Sequence, residues 1–222
     1  MLTLRALAAA CLWLPAAASQ GAGEDPAQLM AQLEARLLAA KRVVIEAQVQ
    51  SRGMVSSELS GRCELRDRNR ASSAWSGDFA GKPVDVGLEA DGRRFELRSG
   101  DERRQEAGAA QHNRAVLVGL TRMGLLHNLA RLTGLQAADH ASGGVEQWLT
   151  LDSFRPTTFA QSGELEGLMS FGFDLVVAGV PSARVRLWLD PVSGLPRRRE
   201  QTVRFAAGEM NVVETYTRFE LD

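Results

Sequence analysis

Between Val55 and Arg66 apolar and polar residues alternate without a break. Val55, Ser57, Leu59, Gly61, Cys63 and Leu65 share one face, and Ser56, Glu58, Ser60, Arg62, Glu64 and Arg66 share the other. A period of two is the signature of a strand with one dry and one wet face. The same period recurs along most of the chain, which points to an antiparallel sheet. Ile45, Ala47 and Val49 alternate with Glu46, Gln48 and Gln50, and this strand joins the next as a hairpin through Arg52-Gly53. A shorter strand follows over Ala71 to Gly77, then one carrying Val84, Val86 and Leu88. Asp91-Gly92 predicts a type I′ turn, with Phe95 and Leu97 on the returning strand. The first half therefore reads as a β meander.

The last third returns to the same period. A strand begins over Gln147 to Leu151, and Met169, Phe171, Phe173, Leu175 and Val177 alternate along Gly167 to Ala178. Gly179-Val180-Pro181 turns the chain, and Ala183, Val185, Leu187 and Leu189 form the next inward row. The loop from Asp190 to Pro196 leads into two closing strands, Arg197 to Phe205 and Met210 to Leu221.

Two segments break the pattern. Asp25 is a good N-cap with Pro26 at the first helical position, and Leu29, Met30, Leu33, Leu37 and Leu38 recur at helical spacing. After the polar stretch Gly100 to Gln111, the segment His112 to Leu135 carries Val116, Leu117, Leu120, Met123, Leu126, Leu129 and Leu132 at helical intervals. Val118 and Leu125 lie off that stripe, so the apolar arc is wider than one packing face needs. Gly119, Gly124 and Gly134 weaken the helix and favour a break into two pieces. This segment reads as a helical cover over the sheet.

Of 222 residues, 45% are hydrophobic, enough for one sizeable core, and the formal net charge of -1 offers no attraction to nucleic acid. The N-terminus reads as a secretory signal: Arg5, the short apolar run Leu7 to Leu14, and Ala16-Ala17-Ala18 as the cleavage site. Cleavage after Ala18 leaves residues 19–222 as a single exported domain with no transmembrane segment. Ala8-Ala9-Ala10-Cys11 loosely matches a lipobox, but Leu12-Trp13-Leu14 after it fits a cysteine inside the apolar run better. Cys63 is then the one remaining cysteine, so no internal disulfide forms, and alternation points it inward.

The usual catalytic signatures are missing. His112, His127 and His140 have no acidic or cysteine partner at metal-ligand spacing, and there is no GxSxG elbow, Walker loop or GxGxxG after a strand. Glu164 and Glu166 read as solvated charges on one strand face. Arg197-Arg198-Arg199 reads as an edge device against aggregation. The expectation is a protein that is not an enzyme and carries no cofactor or metal.

The order of elements adds to this reading. The helix running into Val43 to Gln50, Asp91-Gly92 before a short strand, the run Val185 to Asp190, Ser193-Gly194-Leu195-Pro196, and Thr215 to Phe219 together resemble the LolA/LolB-like superfamily of bacterial lipoprotein-localisation factors. That superfamily also includes the sensor domain of a periplasmic σ-factor regulator. The resemblance implies a mainly β (α+β) fold: a curved, incompletely closed antiparallel β-barrel or sheet covered by an N-terminal helix and a central helical insertion. It further implies a periplasmic carrier holding a lipid or acylated protein ligand between sheet and cover, in a cavity lined by Leu59, Leu65, Val116, Leu120, Met123, Phe171, Phe173, Val185 and Leu187. No arginine of the sequence is matched to the one that locks the lid in the carriers. Because fold does not dictate function, an interaction or sensor module with an envelope protein partner is the alternative.

Overall fold

The computed structural model of the protein describes residues 24–133 and 144–222. The segment read as a secretory signal, with Cys11, and Gly134, Leu135 and His140 lie outside them. Helix α1 (Pro26–Ala39) starts where the sequence places it. Asp25 accepts a hydrogen bond from the Ala27 amide at 3.1 Å, Pro26 occupies a position whose N–H has no intrahelical partner, and Met30, Leu33 and Leu37 are buried.

Six strands follow: β1 (Arg42–Gly53), β2 (Ser57–Arg66), β3 (Arg70–Phe79), β4 (Lys82–Asp91), β5 (Arg94–Ser99) and β6 (Glu102–Ala107). Helices α2 (His112–Met123) and α3 (Leu125–Leu132) come next. The chain returns through β7 (Leu149–Phe159), β8 (Met169–Val177), β9 (Val180–Leu189), β10 (Pro196–Phe205) and β11 (Gly208–Leu221). All eleven strands form one antiparallel sheet of order β6-β5-β4-β3-β2-β1-β11-β10-β9-β8-β7. The mainly β, incompletely closed architecture read from the sequence is the one adopted. Every pairing but one joins strands adjacent in sequence; the exception is β1 with β11, at the centre of the sheet. Its register runs from Val43 opposite Leu221 to Gly53 opposite Met210, with an irregularity at Glu46/Ala47.

One face of this sheet is covered. His112 packs edge-on to Phe95 with ring centroids 4.8 Å apart, the Ser73 hydroxyl donates to the Leu132 carbonyl, and Arg199 reaches the end of α2, so all three contacts place α2 and α3 over the same inner face. The core beneath holds Ile45, Cys63, Trp75, Phe171 and Phe173. Cys63 is buried as alternation requires, and burial pushes its thiol up to about 12.

Several local readings change. The β1–β2 connection lies at Met54 to Ser56, because Arg52 and Gly53 are still paired to Asn211 and Met210. Asp91-Gly92 is not a type I′ turn: only Gly92 has positive φ, and the Asp91 carboxylate instead accepts from the Arg93 and Arg94 amides at 2.7 and 2.8 Å. This Asx arrangement competes with the two-residue hairpin for the same residues. Among the described residues, the strand-connecting turns with positive φ at two successive central positions are Arg68-Asn69, Ala80-Gly81 and Ala178-Gly179. The polar stretch after Gly100 contains the edge strand β6, whose exposed charges obscure its period, and β7 extends to Phe159 through irregularities around Arg155. Glu164 lies in a short 3₁₀ turn (Gly163–Leu165) and Glu166 caps it, so the two share no strand face. Arg197 to Arg199 sit on β10, which is flanked on both sides and is no edge. His112 is buried and His127 exposed.

Candidate functional site

At the centre of the inner face, Arg199 on β10 and Glu214 on β11 are direct cross-strand partners, exposed by only 1% and 2%. Isolated buried charges are costly, and each is satisfied here by helix backbone. The Arg199 guanidinium donates through Nη1 to the Thr121 carbonyl at 3.1 Å and through Nη2 to the Arg122 carbonyl at 2.8 Å. Nε and Nη2 also donate to Gln201 Oε1. Those carbonyls end α2 and have no partner within it. Glu214 Oε1 accepts from the Leu125 and Leu126 amides, at 2.6 and 3.0 Å, which open α3, and Oε2 accepts from the Tyr216 hydroxyl at 2.6 Å. A cation thus sits at the negative end of α2 and an anion at the positive end of α3, both favourable to the helix dipoles.

Burial draws the Arg199 guanidinium below the usual arginine value, while Glu214 and Tyr216 pull it back up. Burial also raises the Tyr216 hydroxyl well above its usual range, and the adjacent Glu214 carboxylate adds to the shift. Gly124 lies between the two helices at φ +87°. A Cβ there would come 2.7 Å from Glu214 Oε1 and 2.8 Å from Arg199 Nε, so only glycine lets both side chains reach the break.

The end of α2 is held from above as well. Glu34 of α1 takes a two-pronged hydrogen bond from Arg122 (2.9 and 3.0 Å) and one from the Thr121 hydroxyl at 3.1 Å. Burial alone would raise the Glu34 carboxyl, but Arg122 overrides it and holds it below the usual value.

Beside this junction lies a cavity of about 350 Å³ between the α2–α3 break and strands β7 to β11. Met123, Leu126, Trp148, Leu175, Val203 and Met210 are among the apolar side chains of its wall, and Glu214 and Gln201 supply polar atoms. Phe205, also in the lining, is 47% exposed at the rim. Concave sites lined by apolar side chains with a few polar groups are the usual form of small-ligand pockets, and this volume is at the small end of the range of about 300–1,000 Å³.

Of the nine residues the sequence assigns to a ligand cavity, Met123 is half-buried and lines this one. Leu59, Leu65, Val116, Leu120, Phe171, Phe173, Val185 and Leu187 are buried members of the core cluster. Alternation identifies the inner face, but it does not tell where helices cover that face tightly and where they leave room. Arg199 and Glu214 were not singled out, although one signal was present: Glu214 interrupts the inward row of Val212 and Tyr216 on β11. Among the described residues no group of three or more His, Cys, Asp or Glu side chains is placed to hold a metal ion. No described helix is long and apolar enough to cross a membrane.

No family model and no curated protein matches the chain. Among solved structures, a LolA superfamily protein from Nitrosomonas europaea is similar at 7% identity and TM-score 0.36, over 88% of this chain and 93% of that one. A putative outer membrane lipoprotein-sorting protein domain from Vibrio parahaemolyticus is similar at 9% identity and TM-score 0.32, over 88% and 91%. The Pseudomonas aeruginosa MucA/MucB complex is similar at 13% identity and TM-score 0.31, over 87% of this chain and 56% of that one. At these scores the fold assignment rests on the strand order and register of the chain itself.

Proposed function

We propose that this protein is an exported, periplasmic binding module that holds a single apolar chain, such as the acyl chain of a lipid or lipoprotein, in the cavity beside the α2–α3 junction. The observation that carries this reading is the apolar cavity of about 350 Å³ running to a partly exposed Phe205. Burying apolar surface contributes about 25 cal/mol per Å², and only an apolar guest recovers that term from such a wall. The N-terminal secretory pattern supports the location. Arg199 is our candidate for the arginine that holds the helical cover down, since it bonds the last carbonyls of α2 above the sheet.

Titration with a fluorescent fatty-acid probe tests the proposal. The wild-type protein takes up the probe saturably, and Met123→Asp with Leu126→Asp abolishes uptake while the β circular-dichroism signal persists. No uptake by wild type, or equal uptake by the double variant, rejects it.

A second reading, a module that docks an envelope protein, is favoured by a different observation. Exposed Met54, Phe79 and Phe205 lie where the β1–β2, β3–β4 and β10–β11 turns end the sheet. Native mass spectrometry of protein purified from a bacterial host separates the two. A co-purified lipid supports the first, and an apo mass with a stoichiometric protein partner supports the second.

A further inference from the structure

The outer face of the sheet, opposite the helices, carries a separate cleft of about 370 Å³ over β7 to β10, bordered by Arg155, Thr158, Arg184, Arg186 and Glu200. Because Gly172 on its floor has no side chain, the Arg155 guanidinium packs directly against the backbone there, where a Cβ would otherwise stand. Arg155 is fully engaged. It donates to the Asp174 carboxylate at 2.7 Å and to the carbonyls of Phe173 and Val185 at 2.8 and 3.0 Å. Arg198 pairs in the same way with Glu200 at 2.8 Å.

Asp174 and Glu200 are thus engaged, and Arg186 is the guanidinium here with no carboxylate partner, while Arg184 shares Asp174 through a longer ion pair. Arg184 comes no closer than 3.7 Å to Asp174 and is 63% exposed. Arg186 stands in register with Glu200 but turns away from it. Its Nε and Nη2 reach only hydroxyls, Ser170 at 3.3 and 3.1 Å and Thr158 at 3.3 Å, and its guanidinium lies 5.0 Å over the ring of the buried Trp188. Stacking on the indole pre-orients the guanidinium fork, so little freedom is lost when an anion arrives.

We infer that this cleft binds a phosphate group, with Arg186 as its forked ligand and Arg184 as its second cation. The unpaired Arg186 fork and the exposed, loosely paired Arg184 suit the near-dianionic charge of a phosphate monoester. A guanidinium fork matches two phosphate oxygens, and the Thr158 hydroxyl, which lines the cleft and bonds the buried Ser170 hydroxyl at 3.0 Å, can turn to donate to a third. A free phosphate ester and a phospholipid head group present the same chemistry. The site lies on the other side of the sheet from the apolar cavity and stands or falls without it.

The test follows the arginine Nε–H resonances of full-length mature protein by NMR during titration with inorganic phosphate. The Arg184 and Arg186 signals shift saturably, sodium chloride or acetate at equal ionic strength does not reproduce the shift, and Arg186→Gln weakens binding about tenfold or more. Arg186→Lys, which keeps the charge and loses the fork, falls between. Co-sedimentation with phosphatidylcholine vesicles, with and without phosphatidic acid, identifies the source: retention by the acidic vesicles alone points to a lipid head group, and saturable binding of free phosphate alone points to a soluble ester. Saturation by neither probe, an equal response to chloride or acetate, or undiminished binding by folded Arg184→Gln/Arg186→Gln protein overturns the inference.

Discussion

Arg199 and Glu214 face one another across β10 and β11, yet each directs its hydrogen bonds to a different helix, Arg199 to the last carbonyls of α2 and Glu214 to the first amides of α3. The α2–α3 junction is thereby tied to the centre of the sheet by two opposite charges. Removing either one strands the other in the core. Arg199→Met and Glu214→Gln are each expected to cost about 3–5 kcal/mol. The double variant should cost clearly less than the two together, by about 1 kcal/mol or more, because neither charge is then left alone. Urea unfolding of the four proteins checks this; strict additivity would mean that the two groups act independently.

Gly124→Ala should be destabilising well beyond the ordinary effect of a glycine in a chain break. Its backbone, at φ +87° and ψ 178°, is a region essentially reserved for glycine, and the new Cβ would press on both Glu214 and Arg199. The expected loss is about 3 kcal/mol, read as a lower urea midpoint. A substitution of Gly179, where a Cβ meets nothing within 4 Å, carries the backbone cost without the clash and should lose less.

On the outer face, Glu64 accepts hydrogen bonds from Arg42 and Arg66 through Oε1 and from Arg62 through Oε2. The bonds from Arg42 and Arg66 hold its carboxyl down to about 2, against an ordinary 4.5. A carboxyl whose folded value is depressed stabilises the fold fully above its unfolded value and loses that contribution as pH falls through the folded one. Stability should therefore decline between pH 4.5 and pH 2 in part through this group. Thermal melts of Glu64→Gln across that window should fall less steeply than those of the wild type; parallel curves would remove Glu64 as a cause.

Cys63 should resist thiol reagents in the native protein and react at once in denaturant. Its side chain is fully enclosed, and a thiol pushed up to about 12 offers almost no thiolate at neutral pH. Rapid native labelling would require opening of the central strands β1 and β2.

The outer-face and core contributions of arginine on β10 also separate. Arg198 is half-buried and pairs with Glu200 on the outer face, so Arg198→Gln should change stability by less than about 1 kcal/mol, in contrast to its neighbour Arg199. Chemical denaturation of the two single variants side by side gives the comparison.

Alternation alone was enough to assign most strands and their inner faces, because a strand has only two faces and a residue either joins the core or does not. Asp25-Pro26 was likewise enough to start α1, since capping is a local event. What alternation could not show is which strands become neighbours beyond a hairpin, and so that Arg199 lies at the middle of the sheet and not at an edge. The closure of β1 against β11 decides this, across a separation of nearly the whole described chain. The apolar cavity also escaped the one-dimensional pattern: the same Leu and Phe periodicity serves a filled core and a lined pocket, and the space is left where the α2–α3 break meets strands β7 to β11. The charged junction follows the same logic. Glu214 breaks an apolar row on β11, a flaw in the pattern when read along the chain, and it becomes a helix cap only when folding brings the Leu125 and Leu126 amides to within hydrogen-bonding distance of its carboxylate.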